Sequence, residues 1–98
     1  MQFIVIAHDG TDEEAQSRRA AARPAHLEQS KSLQAEKRLL HAAAILNKSE
    51  QMIGSIMVFD FPSQSEFDSW LAAEPYVRGN VWQKIEVHPA KVGPSFLP

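Results

Sequence analysis

The segment Arg23-Pro24-Ala25-His26 contains two side chains that can do chemistry near neutral pH. Arg23 carries a permanent positive charge, and His26 can take up and release a proton in the physiological range. Residues three apart project from the same side of a helix, so both groups can face one cavity. Pro24 fits the first turn of a helix, where its missing N–H has no partner. We therefore expect a helix to begin there, or to restart after a kink.

A second polar group lies far along the chain, where Glu74 and Pro75 precede Tyr76 at the predicted end of a helix. Each group also has an interpretation without chemistry. Arg23 and His26 can serve as a helix cap and a packed, hydrogen-bonded imidazole, and Tyr76 can be a half-buried residue at a helix terminus. Local spacing favours this structural interpretation.

The other three histidines give no sign of a metal site. No pair of histidines has the His-x-x-x-His spacing of a zinc motif, and the absence of cysteine excludes thiolate ligands, thiolate catalysis and disulfides. His41 and His88 fall in predicted strands and are expected at the surface or at an interface. His8 ends the first strand beside Asp9 and is placed at the rim of a cleft. We expect no bound metal.

The composition limits the class of protein. With 98 residues, 44 % hydrophobic and 22 % charged, the chain is expected to form a single globular domain over 1–98. A net charge of −2 and dispersed Lys and Arg argue against a nucleic-acid partner. No apolar run approaches the roughly 18 residues of a membrane helix. The opening MQFIVIAHDG lacks a basic leader and is interpreted as a strand, so a cytoplasmic protein is expected.

Alternating apolar residues and turn signals predict two helices and four strands. In chain order these are a strand at 2–8, a helix capped by Thr11 or Asp12 that ends near Lys37 and that Pro24 kinks or divides, strands at 39–46 and 52–61, a helix at 63–73 capped by Ser63 or Ser65, and a strand at 81–89. The segment 39–46 has helix propensity, but the NKSEQ turn after it favours a β-hairpin. The order β-α-β-β-α-β is that of an α+β, ferredoxin-like fold, with a four-stranded antiparallel sheet and both helices on one face.

The predicted sheet has two apolar faces. In the first strand Phe3 and Val5 lie on one side and Ile4 and Ile6 on the other, and the third strand divides in the same way between Ile56 with Val58 and Met57 with Phe59. A sheet face that meets water is normally polar, so a second copy of the chain is expected to cover the face without helices. The tail 91–98 has no periodicity and is expected to be extended or disordered, or to lie across the partner.

Three stretches of the chain resemble the YciI-like (YCII-related domain) family over nearly its whole length: RPAHLEQSKSLQAEKRLL, GSIMVFDF and EPYVRGNVWQKIEVHPAK. The family's Arg-x-x-His motif is matched by Arg23 and His26, and its Gly-Ser pair by Gly54 and Ser55. Its Asp-Pro-Tyr-Val segment is matched by 74–77, with Glu74 in place of the usual Asp. Lys37 stands where many relatives carry Gly. The NKSEQ loop is shorter than in some members, which implies a more open cleft.

The resemblance implies a dimeric α/β-barrel type assembly and a cofactor-free active site in a cleft between helices and sheet. Members with assigned chemistry resemble enzymes that act on ring compounds, including a dehydrochlorinase of chlorinated hydroxyquinols, and are structurally akin to muconolactone isomerase. We expect a lyase or isomerase acting on a small ring compound. His26 is then the general acid/base oriented by Glu74, with Arg23, Ser55 and Tyr76 binding the substrate. The alternatives are a non-catalytic module that binds a small metabolite or a protein, and a purely structural dimer.

Overall fold

The computed structural model describes residues 1–98 and confirms the predicted order of strands and helices, with one short helix added. The elements are β1 (Gln2–Asp9), α1 (Ala15–Ala35), β2 (Leu39–Leu46), β3 (Met52–Asp60), α2 (Gln64–Ala73), α3 (Pro75–Arg78), β4 (Trp82–Ala90) and a 3-10 turn (Pro94–Phe96). The strands form one sheet in the order β2-β3-β1-β4. All neighbouring strands are antiparallel, which gives the ferredoxin-like arrangement.

The main core lies between the sheet and α2. Aromatic side chains dominate it: Phe67 stacks on Phe3 with 4.2 Å between ring centroids, and Trp70 lies 4.2 Å from Phe59. All four side chains are buried, and burial of each large apolar side chain contributes roughly 1.5–3 kcal/mol. The alternation of β1 and β3 therefore fixes which side of the sheet receives the helices, and it also determines which residues of β3 can face a cavity there.

The first helix begins later than the sequence predicts. It starts at Ala15 with Glu14 at the N-cap position, whereas Thr11 or Asp12 was expected as the cap. The Asp12 side chain does accept a hydrogen bond from a backbone N–H, that of Glu14 at 3.2 Å, but it also binds Arg18 one turn into the helix. Residues 13 and 14 form a turn between Asp12 and the first residue of the helix.

The prediction that a helix starts or restarts at Pro24, or that Pro24 divides it, is wrong, because Pro24 lies in the interior of the continuous helix Ala15–Ala35. An interior proline leaves the carbonyl of Ala20 without its usual donor and costs about 3 kcal/mol. Buried side chains on both sides of Pro24, Arg19 and His26, anchor the helix to the rest of the protein. Tertiary packing thus overrides the local preference, and Arg23 and His26 lie in the middle of the helix.

The end of the first helix places Lys37 in a backbone conformation that favours glycine. The backbone of Lys37 is left-handed, with φ of 62°. Its N–H donates to the carbonyl of Gln34 at 3.0 Å, and the N–H of Arg38 donates to the carbonyl of Leu33 at 2.9 Å. This pair of bonds is the Schellman motif, in which glycine is preferred because it has no Cβ. The helix ends at Ala35, two residues before the expected position.

The short helix α3 was not predicted, because the segment EPYVRGN was interpreted only as a helix break. Glu74 ends α2 and also caps α3, while Pro75 occupies the first position of α3. Proline is favoured at that position, so an acidic cap followed by proline was a readable signal. The predicted cap of α2 is confirmed, since the Ser63 hydroxyl accepts a hydrogen bond from the N–H of Glu66 at 3.2 Å.

The second face of the sheet carries no helix. Ile56 on this face is 40 % exposed, and Ile4, Ile6 and Val58 are partly buried. The C-terminal tail lies along one end of this face, where the ring of Phe96 meets that of His41 edge-on at 6.4 Å. None of the helices combines the length and the apolar character needed to cross a membrane.

Candidate active site

A cavity of about 220 Å³ lies between α1 and the β2–β3 half of the sheet. Its wall on the β2 side includes Ala42 and Ala44, whose side chains end at Cβ and so leave the space unfilled. The volume is below the roughly 300 Å³ at which pockets begin to accept drug-sized ligands, and it suits a single-ring molecule. The polar residues that line the cavity are Arg19, Arg23, His26, Ser55 and Tyr76.

The imidazole of His26 contacts the carboxylate of Glu74. The distance from Nδ1 to Oε1 is 2.6 Å, and the two side chains are only 10 % and 1 % exposed. An ionised carboxylate can only accept a hydrogen bond, so Nδ1 carries the hydrogen. The other ring nitrogen, Nε2, makes no hydrogen bond within the chain. His26 therefore presents a nitrogen that can accept a proton, with a negative charge behind it.

Glu74 is held in place by the backbone of the next helix. Its Oε1 accepts a hydrogen bond from the N–H of Tyr76 at 3.1 Å, in addition to the contact with His26. The residue itself is fully buried, and its Oε2 has no hydrogen-bond partner. The junction between α2 and α3 thus determines the orientation of the carboxylate. The longer side chain of glutamate reaches the imidazole from this junction.

The ring of Tyr76 supports His26 from a different direction. The two rings stack with 3.9 Å between centroids and 12° between planes. The guanidinium carbon of Arg19 lies over the same tyrosine ring, 4.8 Å from its centroid. Burial raises the pKa of Tyr76, although Arg19 and Arg23 act in the opposite direction. The tyrosine hydroxyl is therefore neutral at physiological pH and can donate a hydrogen bond into the cavity.

A second buried network adjoins the first, and sequence analysis did not find it. Arg19 donates from Nη1 to both oxygens of Asp9, at 3.0 and 2.9 Å, and from Nη2 to Ser55 Oγ at 3.3 Å. Trp82 donates from Nε1 to the same Ser55 oxygen at 3.2 Å. Arg19, Arg23 and His26 follow the i, i+4, i+7 spacing of one helix face, which was the available signal for Arg19. No spacing links this helix face to Asp9 or Trp82.

The Gly54-Ser55 pair places the serine on the floor of the cavity. A Cβ at Gly54 would lie 2.6 Å from the backbone oxygen of Ala7 on β1, a distance that real Cβ atoms do not adopt. Glycine alone lets β3 pass so close to β1 at this point. The next residue, Ser55, then faces α1 and is 4 % exposed.

The sequence profile of the YCII-related domain matches residues 1–91. The chain belongs to this family. It is 30 % identical to the protein YciI of Escherichia coli O6:H1 over 97 residues, a match that covers 93 % of this chain and 97 % of that protein.

Two solved structures share the fold of this YCII-related domain. A 5-chloro-2-hydroxyhydroquinone dehydrochlorinase from Burkholderia phenoliruptrix AC1100, in complex with 2,5-dihydroxybenzoquinone, has a TM-score of 0.79 at 21 % identity, covering 95 % of this chain and 96 % of that chain. A dimeric ferredoxin-like protein of unknown function from Jannaschia sp. CCS1 has a TM-score of 0.51 at 19 % identity, covering 93 % and 98 %.

In this YCII-related domain the five residues expected from the sequence lie together. Arg23, His26, Ser55 and Tyr76 line the cavity, and Glu74 lies behind His26. Arg23 is exposed at the rim and pairs with no carboxylate. The remaining histidines, His8, His41 and His88, are exposed and lie outside the cavity. No group of three His, Cys, Asp or Glu residues is arranged to hold a metal ion.

Proposed function

We propose that this YCII-related domain is a cofactor-free lyase or isomerase that moves protons on a small hydroxylated ring compound. The observation that carries the proposal is the buried contact between His26 Nδ1 and Glu74 Oε1, which leaves Nε2 free beside a cavity of single-ring size. An acid behind an imidazole supports the positive charge that appears when the imidazole takes a proton. Such general acid–base catalysis contributes roughly 10²- to 10⁴-fold in rate.

In the proposed reaction, Nε2 of His26 takes a proton from a hydroxyl or a carbon of the bound ring. Glu74 stabilises the resulting imidazolium. Return of the proton to a different atom of the ring gives an isomerisation. Where the ring carries a leaving group such as chloride, departure of that group with the abstracted proton gives an elimination, and the products are the unsaturated ring compound and the hydrogen halide. Neither route requires an oxidant or a reductant.

The other residues around the cavity would bind the ring compound. Arg23 provides an unpaired positive charge at the rim, suited to a phenolate or carboxylate. Ser55 and Tyr76 provide hydroxyl groups for an oxygen that gains negative charge during the reaction. The likeness to a dehydrochlorinase that was solved with a dihydroxybenzoquinone supports the choice of hydroxylated rings as the substrate class.

The second candidate is a binding module of the same fold that holds a small anionic metabolite, or a protein partner, without turnover. The free guanidinium of Arg23 beside the neutral Tyr76 hydroxyl favours anion binding whether or not His26 acts on the ligand. The two candidates predict the same pocket. They differ only in whether His26 exchanges protons with the bound molecule.

Proton exchange and chloride release distinguish the candidates. The protein is mixed with 2,5-dihydroxybenzoquinone in D₂O, and ring deuteration is followed by NMR; 5-chloro-2-hydroxyhydroquinone is tested in parallel for chloride release. We expect activity in the wild type and a loss of at least about 100-fold in His26→Gln. His41→Gln, at an exposed histidine outside the cavity, is the matched control. Binding without exchange or release would support the binding module, and failure to bind either compound would refute the substrate class.

We propose that the uncovered sheet face forms a homodimer. Its apolar residues Ile4, Ile6, Ile56 and Val58 carry the argument, and a dimeric ferredoxin-like protein is among the structural neighbours. Sedimentation should give twice the mass of the 11.0 kDa chain. Ile56→Asp should yield a folded monomer, whereas Ala72→Asp, at an exposed position of α2 on the helix-covered side of the sheet, should not. A wild-type monomer at micromolar concentration would refute this packing.

A further inference from the structure

The hydroxyl of Ser55 lies between two groups that can only donate hydrogen bonds. Arg19 Nη2 is 3.3 Å and Trp82 Nε1 is 3.2 Å from Ser55 Oγ. Neither a guanidinium nor an indole N–H can accept a hydrogen bond, so Oγ accepts both. A hydroxyl oxygen has two lone pairs, and both are then occupied. The hydroxyl hydrogen is left over, and no atom of the chain accepts it.

Neither donor can turn away to relax this arrangement. Arg19 is 5 % exposed, and its Nη1 is bound to both carboxylate oxygens of Asp9. Its guanidinium also lies over the ring of Tyr76. Trp82 is 4 % exposed, and its indole ring meets the rings of Tyr76 and His26 edge-on. Packing therefore holds both N–H groups in place, which fixes the direction of the Ser55 hydrogen bond.

We infer that Ser55 is an obligatory hydrogen-bond donor to the ligand, so that the cavity selects ring compounds that present a carbonyl or oxyanion oxygen at this point. Arg19 and Trp82 are the positioning residues that impose this polarity. The inference rests on the proposed ligand site between α1 and the sheet, and it specifies the substrate class further. It does not depend on turnover.

The rest of the cavity gives the ligand a definite orientation. Nε2 of His26 can accept a hydrogen bond in the polar wall, whereas Arg23 can only donate and Ser55 has only its hydrogen left to donate. A matching compound thus carries an acceptor oxygen toward Ser55 and a removable proton toward His26. Hydroxyquinones and their enol tautomers have both groups on one ring. A ring whose substituents only donate hydrogen bonds would leave the Ser55 hydrogen unpaired, which is unfavourable in a buried site.

The test compares the binding of two rings of similar size by isothermal titration calorimetry. 2,5-Dihydroxybenzoquinone presents acceptor oxygens, and 1,4-diaminobenzene presents N–H donors in the corresponding positions. We expect the wild type to prefer the quinone. Ser55→Ala should weaken quinone binding about tenfold or more and should not weaken diamine binding. Thermal unfolding of each variant checks that the fold is retained.

Trp82→Phe tests whether Trp82 makes Ser55 a hydrogen-bond donor to the ligand. Trp82 does not line the cavity, and phenylalanine keeps an aromatic ring at this position. The change frees one lone pair of Ser55, so the hydroxyl can accept from the diamine. The ratio of quinone to diamine affinity should fall about tenfold. In a Ser55→Ala background the same change should have no effect on the ratio, since Trp82 acts through the hydroxyl.

An unchanged ratio in Trp82→Phe, or the same change with and without Ser55, would overturn the inference. A Ser55→Ala variant that keeps its quinone affinity would also overturn the inference. This second test applies even if Trp82→Phe does not fold. These binding experiments can fail independently of the proposed catalytic function. Loss of proton exchange with an intact, Ser55-dependent preference would refute catalysis alone, and exchange without that preference would refute the polarity alone.

Discussion

Two neighbouring arginines of α1 form ion pairs with aspartates in very different surroundings. Arg18 donates to both oxygens of Asp12 at 2.8 and 2.6 Å, and these side chains are 24 % and 50 % exposed. Arg19 donates to both oxygens of Asp9 at 3.0 and 2.9 Å, and these side chains are 6 % and 2 % exposed. The exposed pair has the shorter distances, yet we expect it to contribute less to the free energy of unfolding than the buried pair.

The reason is the solvent around each pair. Water and salt screen an exposed ion pair, and either partner can be hydrated when the other is removed, so such pairs contribute little. A buried pair has already lost its hydration, so removal of one partner leaves an uncompensated charge. Arg18 nevertheless holds the pKa of Asp12 well below its usual range. A short distance or a shifted pKa is therefore no measure of what a pair contributes to folding.

The largest expected effect is the loss of stability when the aspartate of the buried pair is neutralised. Asp9→Asn leaves the Arg19 guanidinium buried without its counter-charge and should reduce the free energy of unfolding by about 3–5 kcal/mol. Asp12→Asn is the matched change at the exposed pair and should have little effect. Urea unfolding at pH 7 measures both. Equal losses in the two variants would contradict the difference in burial.

The buried pair between His26 and Glu74 gives a smaller expected effect on stability. Glu74→Gln keeps an oxygen for Nδ1 and for the N–H of Tyr76, but it removes the charge. An imidazole can be neutral, unlike a guanidinium, so no buried charge is left unpaired and the loss should be about 1–2 kcal/mol. Proton exchange on the ring should fall about 100-fold or more. Unchanged exchange, with unfolding as the control, would rule out a role for the carboxylate in the reaction.

Replacement of both members of the buried Arg19–Asp9 pair sharpens the comparison between stability and function. Arg19→Met combined with Asp9→Leu removes both charges and keeps apolar volume, and such replacements are often neutral. We expect the double variant to unfold within about 1 kcal/mol of the wild type. Its preference for the quinone over the diamine should fall, because Ser55 loses one of its two donors. A preserved preference would show that Arg19 does not set the polarity of Ser55.

The sequence predicted the fold well because its signals are local. Alternation in the strands, the turn residues of NKSEQ and the Ser63 cap each act within a few residues, and they produced the correct order of elements. The course of α1 through Pro24 was not predictable in this way. It depends on burial of Arg19 and His26 against parts of the chain that no local pattern connects to the helix.

The candidate site was predictable to the extent that helical spacing links its residues. Arg23 and His26 follow from their three-residue separation, whereas the pairing of His26 with Glu74 was suggested by the family resemblance and not by any spacing. Asp9 and Trp82 come from opposite ends of the sequence and meet only because β1 pairs with β4. Asp9 accepts hydrogen bonds from Arg19, and Trp82 donates one to Ser55. These hydrogen-bond directions appear only in three dimensions.

The smallest expected effect concerns the exposed Arg18–Asp12 pair and its response to pH and salt. A carboxyl whose pKa is lowered in the folded state stabilises the fold above its ordinary pKa, and this contribution is lost as the pH falls. Any difference in unfolding between the wild type and Asp12→Asn should therefore shrink on acidification. It should also shrink in 1 M salt, where the Debye length is only about 3 Å, while the loss in Asp9→Asn persists. A difference at Asp12 that grows on acidification, or that salt leaves unchanged, would show that solvent does not screen this pair.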